Sequence, residues 1–335
     1  MKPLVLSLGD PAGIGPELAV AAWAMQTQPG QPPLPAFAVA GGAGLLFEAA
    51  ERRGISVPVQ PVGSLADAAD AFPHALPVLP LGDAPYMPGT PTEGGARLAL
   101  ASLTEAVRLV VSGEASGVVT GPIAKSELAK VGFEFPGQTE FLAHACGLAA
   151  DRAVMMLAGP QLRTVPMTVH CALAQVPGLL SQDLIVARAR VVVQAMRRDF
   201  GLPAPRVAIC GLNPHAGESG RMGREEIEII APAIAQLRAE AIDATGPHPA
   251  DSLFAPHARG SYDVAIAMYH DQALVPIKAL DFDAGVNVTL GLPIIRTSAD
   301  HGTAFGIAGQ RLANPGATLA AIRMAGEMAT RRGAS

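Results

Sequence analysis

Val264-Ala265-Ile266-Ala267-Met268-Tyr269-His270 is a short apolar run that ends on a histidine, and the chain repeats this pattern twice more. Val165-Pro166-Met167-Thr168-Val169 runs into His170, and Val207-Ala208-Ile209-Cys210-Gly211-Leu212-Asn213-Pro214 runs into His215. Short apolar runs rich in β-branched residues and bounded by turn formers suit buried strands. If these strands are parallel, three imidazoles gather at the carboxyl edge of one sheet, where open α/β folds bind ligands. Three neutral imidazoles with no fourth protein ligand suit an open divalent-metal site. The spacing is unlike H-E-x-x-H, which argues against a zinc protease. The pattern points to an enzyme.

Outward from these runs, short β-branched stretches alternate with longer helical periodicity, as a parallel sheet with crossover helices requires. Strands are expected at Leu4–Leu8, Ala36–Ala40, Gly117–Thr120, Ala153–Ala158, Thr164–Val169, Arg206–Gly211 and Asp263–Met268. A helix is expected to begin over Pro16–Met25. Others are expected at Gly44–Gly54, Thr92–Ser112, near Lys125–Val131, and at Ser181–Phe200, Arg224–Ala241 and Ala317–Arg331. Leu98, Leu103, Val107 and Val110 fall on one face of their helix, and Ser181 is placed as an N-cap. Residues 56–92, rich in proline, read as edge strands and loops. With no internal repeat and no long linker, the expected architecture is α/β, two lobes sharing a cleft.

Half of the 335 residues are hydrophobic and only 4% are aromatic, which suits helices packed on a parallel sheet. Charged residues make up 16%, below the usual quarter, so part of the surface is expected to be covered in an oligomer. The net charge of −5 gives no electrostatic footprint for nucleic acid or an anionic membrane. Three scattered cysteines with no C-x-x-C pair suit a reducing cytoplasm. The apolar stretch behind Met1-Lys2-Pro3 is too short for a secretory core, and no run reaches the roughly 18 residues of a membrane helix. A soluble cytoplasmic protein with no nucleic-acid or membrane partner is expected.

Further motifs sit at strand–helix junctions. Gly9-Asp10-Pro11-Ala12-Gly13-Ile14-Gly15-Pro16-Glu17 is neither G-x-G-x-x-G nor a P-loop; it reads as a tight turn with close packing, or as a turn that lends Asp10 to a cleft. Thr120-Gly121-Pro122-Ile123-Ala124-Lys125-Ser126 places a lysine at a helix start, where an anion could sit, although an exposed lysine is the plainer reading. In Gly137-Gln138-Thr139-Glu140, Thr139 reads first as a helix cap and second as a substrate contact. Asp271 follows His270 and Asp251 lies in the loop region before it; either could orient an imidazole or polarise a metal-bound water. His74 and His248 read as bystanders, while His144 and His257 stay undecided. Lys278, after Val275-Pro276-Ile277, and Arg296, after Pro293-Ile294-Ile295, are basic groups beside apolar runs, as is the polar Asn287. Buried basic groups need an anionic partner, either an internal carboxylate or a phosphate or carboxylate of a substrate. Asp300-His301-Gly302-Thr303-Ala304-Phe305-Gly306 is a loop of small residues that a flat ligand could approach closely.

Taken together, Gly9–Glu17, Gly211–Gly220, Tyr269-His270-Asp271-Gln272, Gly285-Val286-Asn287-Val288-Thr289-Leu290-Gly291-Leu292-Pro293 and Asp300–Gly309 resemble the 4-hydroxythreonine-4-phosphate dehydrogenase family of pyridoxal 5′-phosphate biosynthesis. The resemblance runs over nearly the whole chain. It implies an isocitrate/isopropylmalate dehydrogenase-like fold with a cofactor-side lobe (1–125 with about 290–335) and a metal, substrate and dimerisation lobe (about 126–289). It further implies oxidation of 4-(phosphooxy)-L-threonine by NAD or NADP to a 2-amino-3-oxo acid, which decarboxylates to 3-amino-2-oxopropyl phosphate. His170, His215 and His270 would hold one divalent metal (Zn, Mg, Co or Mn), in a site shared across a homodimer. Gln138, Thr139, Lys278, Asn287 and Arg296 would bind substrate. His301, Gly302, Thr303 and Ala304 would bind the cofactor's adenosine. Lys278, Asp251 and Asp271 are the candidates for the hydroxyl proton.

Gln138 departs from the Gly-His-Thr-Glu pattern of many family members. Glutamine hydrogen-bonds but does not titrate near neutral pH, which leaves room for a related substrate, D-threonate or D-erythronate 4-phosphate. Two other reaction classes fit part of the pattern. A metal-dependent hydrolase would use the three histidines without a nicotinamide site, and a phosphate acyltransferase would need no metal.

Overall fold

In a computed structural model of the chain, residues 2–26, 28, 30 and 32–333 are described. The backbone forms two compact units, one from Met1–Ala150 with Leu292–Ala334, the other from Asp151–Gly291. The first boundary falls after residue 150 rather than 125, because helices Lys125–Ala129 and Gln138–Ala145 pack on helix Glu93–Val111.

The strands, in chain order, are β1 (Leu4–Ser7), β2 (Phe37–Gly41), β3 (Val59–Pro61), β4 (Leu76–Pro80), β5 (Val118–Thr120) and β6 (Val154–Ala158). They continue with β7 (Arg163–Pro166), β8 (Val207–Cys210), β9 (Ala244–His248), β10 (Val264–Ala267), β11 (Val286–Leu290) and β12 (Arg296–Ala299). In the first unit the order is β3-β4-β2-β1-β5-β12, with every neighbouring pair parallel. Every residue of β1, β2 and β5 is buried, which is why they read as unbroken apolar runs rather than alternating ones. Helix Glu93–Val111 covers β1 and β2 and buries Leu98, Leu103, Val107 and Val110, the face its periodicity marks.

The same helix carries Ser102, a fully buried hydroxyl. It accepts the Leu8 N–H at 2.7 Å and donates to the Ala40 carbonyl at 2.6 Å, so one side chain satisfies two backbone groups where β1 and β2 end. Residues 56–92 hold β3 and β4 and also an unexpected helix, Leu65–Ala71. Seven residues are too few for a period to register; the Ser64 hydroxyl accepts the Asp67 N–H at 3.2 Å, and Leu65, Ala68 and Ala71 are buried.

In the second unit the order is β11-β6-β7-β10-β8-β9. β11 pairs antiparallel with β6 and β6 with β7, while β7, β10, β8 and β9 run parallel, so this unit is mixed. Helix Gln182–Arg198 is capped as its sequence indicates, with the Ser181 hydroxyl accepting the Leu184 N–H at 3.1 Å. The region Arg224–Ala241 contains a π turn, Glu226–Ile230, that leads into helix Ala231–Ala239.

Helix His270–Asp281 has no counterpart in the sequence reading, because Pro276 lies inside it and breaks the pattern. It holds nonetheless, since Ala273, Leu274 and Ile277 are buried and the helix packs on β6, β7 and β10. Lys278 therefore rides on a helix and does not end a strand. No helix among the described residues is long and apolar enough to cross a membrane.

Ser102→Ala leaves the Leu8 N–H and the Ala40 carbonyl buried without a partner. The expected loss is about 2–4 kcal/mol in a urea titration, from two groups at about 1–2 kcal/mol each. A loss under 0.5 kcal/mol, the ordinary range for a surface change, shows that the contact is idle.

Candidate functional site

β10 pairs in parallel with β7 on one side and β8 on the other. The segments leaving their carboxyl ends carry His270, His170 and His215, so all three histidines emerge from one edge of the second unit's sheet. The His170 and His270 rings lie 5.9 Å apart, centroid to centroid. With Thr168, Cys171, Tyr269 and Asp271 they line a cavity of about 260 Å³. His270 Nδ1 is 2.7 Å from Asp271 Oδ1. In the tautomer that donates Nδ1–H to this carboxylate, Nε2 keeps its lone pair for a ligand, the usual arrangement of a metal-binding imidazole. Among the described residues, no three His, Cys, Asp or Glu side chains form a group able to hold a metal ion. One chain brings two of the three rings together and does not complete a three-imidazole site.

The third ring sits on costly backbone. φ is +51° at His215, +51° at Ala216, +75° at Gly217, +42° at Glu218 and +57° at Ser219, a turn of left-handed helix. Each non-glycine residue there costs roughly 1–2 kcal/mol. His170 is left-handed as well, at φ +47°. Five of the eight non-glycine residues with positive φ among the described residues therefore lie in the two segments after β7 and β8. Strain so concentrated marks a place where geometry is held for use.

Two side chains that the sequence reading passed over hold the segment after β8. Buried Glu226 accepts the Asn213 N–H at 2.7 Å and the Asn213 Nδ2–H at 3.0 Å, bracing the start of the left-handed turn. Gln272 Nε2 donates to the Gly211 carbonyl at 2.8 Å, while its Oε1 accepts the Met268 N–H at 2.6 Å. This one carboxamide ties the end of β10 to the end of β8. Gln272 stands in the quoted His270-Asp271 string and could have been found there. Glu226 could not, because Arg224-Glu225-Glu226 looks like a solvated helix start. Asp251 is exposed on the short helix Ala250–Leu253, which packs against the His215 turn.

The first unit holds a buried cation. Arg296 opens β12 with 5% of its surface exposed. Its Nε and Nη2 donate to Thr120 Oγ1 at 3.2 and 2.8 Å, and Nη2 donates to Gln138 Oε1 at 2.9 Å. Gln138 Nε2 in turn donates to the Gly121 carbonyl at 3.0 Å. Burial pushes the Arg296 pKa down to about 10, so the guanidinium stays charged at neutral pH. The N-cap of helix Gln138–Ala145 is Gly137, so Thr139 lies within the first turn and is not the cap. Lys125 is exposed at the start of Lys125–Ala129.

Residues 9–17 act mainly through packing. Asp10 is buried, its Oδ1 accepting the Ala12 N–H at 2.9 Å, and burial pushes its carboxyl pKa upward. A Cβ on Gly13 would lie 2.7 Å from the Thr303 carbonyl oxygen, which accepts the Ile14 N–H at 3.0 Å. The turn thereby seats the 301–304 loop. There His301 Nδ1 meets the Gly302 carbonyl at 3.0 Å, and Nε2 is buried with no hydrogen-bond partner among the described residues. Lys278 and Asn287, on helix His270–Asp281 and on β11, are half-buried in the second unit.

Residues 35–325 match the family model for the pyridoxal phosphate biosynthetic protein PdxA. A 4-hydroxythreonine-4-phosphate dehydrogenase of Erythrobacter litoralis is 61% identical over 331 residues, covering 99% of this chain and 98% of the relative. The crystal structure of a 4-hydroxythreonine-4-phosphate dehydrogenase from Klebsiella pneumoniae matches with a TM-score of 0.85 at 36% identity, covering 98% of each chain. A terephthalate 1,2-cis-dihydrodiol dehydrogenase from Burkholderia xenovorans matches with a TM-score of 0.65 at 31% identity, covering 97% of each.

Gln272→Leu removes both ends of the carboxamide strap. Hydrogen exchange in segments 211–222 and 268–272 is expected to quicken about tenfold, the equivalent of one lost hydrogen bond, with β1 unchanged. Unchanged exchange in both segments shows that the strap does not join them.

Proposed function

The chain belongs to the family of the pyridoxal phosphate biosynthetic protein PdxA, and from that premise we propose that it oxidises 4-(phosphooxy)-L-threonine with NAD or NADP. The product would be a 2-amino-3-oxo acid that loses carbon dioxide to give 3-amino-2-oxopropyl phosphate. The observation that carries this reading is the placing of three histidines beyond the ends of adjacent parallel strands, two of them side by side over a cavity.

The donor set fits a divalent cation (Zn, Mg, Co or Mn): His270 is oriented by Asp271, and the imidazoles present neutral nitrogen ligands. Since the described residues of one chain do not complete the set, the reading requires a homodimer in which the His215 and His270 serving one site come from different copies. A cation bound there would lower the pKa of the substrate's secondary hydroxyl.

The protein's own groups divide the remaining work. Arg296 binds an anionic group of the substrate, and Gln138 holds its guanidinium in place; Thr139, Lys278 and Asn287 are further substrate contacts. Asp271 is engaged with His270, which leaves Asp251 and Lys278 to take the hydroxyl proton. The loop His301–Ala304 fits the adenosine of a nicotinamide cofactor, because His301 Nε2 is an orphaned donor or acceptor and Gly302 leaves open space where a Cβ would stand. A nicotinamide bound in the first unit would accept the hydride.

Gln138 supports a second substrate class, D-threonate or D-erythronate 4-phosphate, because its amide bonds Arg296 without titrating. The two readings separate in one assay. With 4-(phosphooxy)-L-threonine, reduced nicotinamide is expected to form and to stop on chelation, while the sugar-acid phosphates run about tenfold or more below it in kcat/KM. The reverse ranking moves the substrate. Phosphate release or acyl transfer without reduced cofactor moves the reaction class.

Arg296→Lys is expected to lower kcat/KM on the order of a hundredfold, since a point charge does not replace a planar fork. In Gln138→His, the ratio of kcat/KM to that of the parent is expected to fall as pH drops below about 6.5, where a protonated imidazole faces the Arg296 guanidinium. A flat ratio shows that residue 138 does not bear on Arg296.

A further inference from the structure

We infer that Glu226 is the positioning residue for His215: its buried carboxylate holds the left-handed turn in the one arrangement that presents this imidazole to a cation. The inference rests on the three-histidine reading above and deepens it by naming what keeps the third ligand in place.

Glu226 is 4% exposed, and among the described residues no Lys, Arg or His side chain pairs with it. Carboxylates are seldom buried, and a buried one without a cation is costly unless hydrogen bonds satisfy it. Its partners are the backbone N–H and side-chain amide of Asn213, just ahead of His215. The Asn213 amide is shared with Glu225 Oε2 at 2.8 Å, which fixes its orientation. Both Glu226 oxygens are thereby engaged, so the residue acts through Asn213 and is not itself a ligand.

The turn is wrapped around this carboxylate. A Cβ at Gly217 would lie 2.5 Å from Glu226 Oε2, and one at Gly211 would lie 3.1 Å from Oε1. At Gly217 a side chain would collide with Oε2, and Gly217 is also left-handed at φ +75°. Glu226 reaches this hollow from the first residue of the π turn Glu226–Ile230, a local widening of helix that is frequent at functional sites. Asn213, hydrogen-bonded to Glu226, and Gly217, packed against it, bracket Pro214, His215 and Ala216.

The test uses the full-length dimeric protein and cobalt(II) as probe, with affinity from titration and coordination from visible absorption. Variants are compared at concentrations where sedimentation matches the parent. Glu226→Ala and Gly217→Ala, which disturb one contact from its two sides, are each expected to weaken cobalt binding about 10–100-fold and to alter the spectrum. His215→Ala is expected to lose at least as much. Melting of the cation-free protein separates the roles: a merely structural Glu226 would lower the melting temperature and leave affinity and spectrum alone. Affinity and spectrum unchanged in both bracing variants, with binding lost in His215→Ala, overturn the inference and leave the three-histidine reading standing. Cobalt binding unchanged in His215→Ala overturns both. Should Glu226→Ala fail to fold, Gly217→Ala alone decides, because its carboxylate is intact.

Discussion

A turn of left-handed backbone after β8 is the costliest local feature of the second unit, and the arrangement of its candidate site depends on it. Four non-glycine residues there adopt a conformation that ordinary chains avoid, at roughly 1–2 kcal/mol each. The surroundings must supply at least that much. They do so with hydrogen bonds to buried groups: Glu226 on Asn213, and Gln272 between Gly211 and Met268. Parallel pairing of β7, β10 and β8 provides the rigid base, since each strand end is fixed by its neighbour's ladder.

The first unit meets a different constraint with the same logic. Arg296 is an ionised side chain taken out of water, and burial alone lowers its pKa to about 10. The Thr120 hydroxyl and the Gln138 carboxamide take up its donors in a fixed fork. The turn at residues 9–17 contributes by shape, seating the 301–304 loop through Gly13.

Much of this was legible in the residues. Fully buried strands such as β1 and β10 announce themselves as continuous apolar runs, and the Ser181 cap marks a helix start. The three histidines could be placed at strand ends because each follows such a run. What could not be read has physical causes. Pro276 hides a helix that tertiary packing sustains, and Leu65–Ala71 is too short to show a period. Thr139 looks like a cap because side-chain type does not reveal that Gly137 fills that place. Glu226 is invisible as a brace, because nothing in Arg224-Glu225-Glu226 tells which carboxylate turns inward.

The central claim is that one cation is caged by imidazoles contributed by two copies of the chain. Subunits carrying His215→Ala and subunits carrying His270→Ala, each unable to hold the cation alone, can be mixed into heterodimers. If the two rings of one site come from different copies, such a heterodimer keeps one intact site and binds about half the parent's cobalt. If each chain supplied its own cage, both sites would be broken, and a heterodimer that binds none would refute the claim.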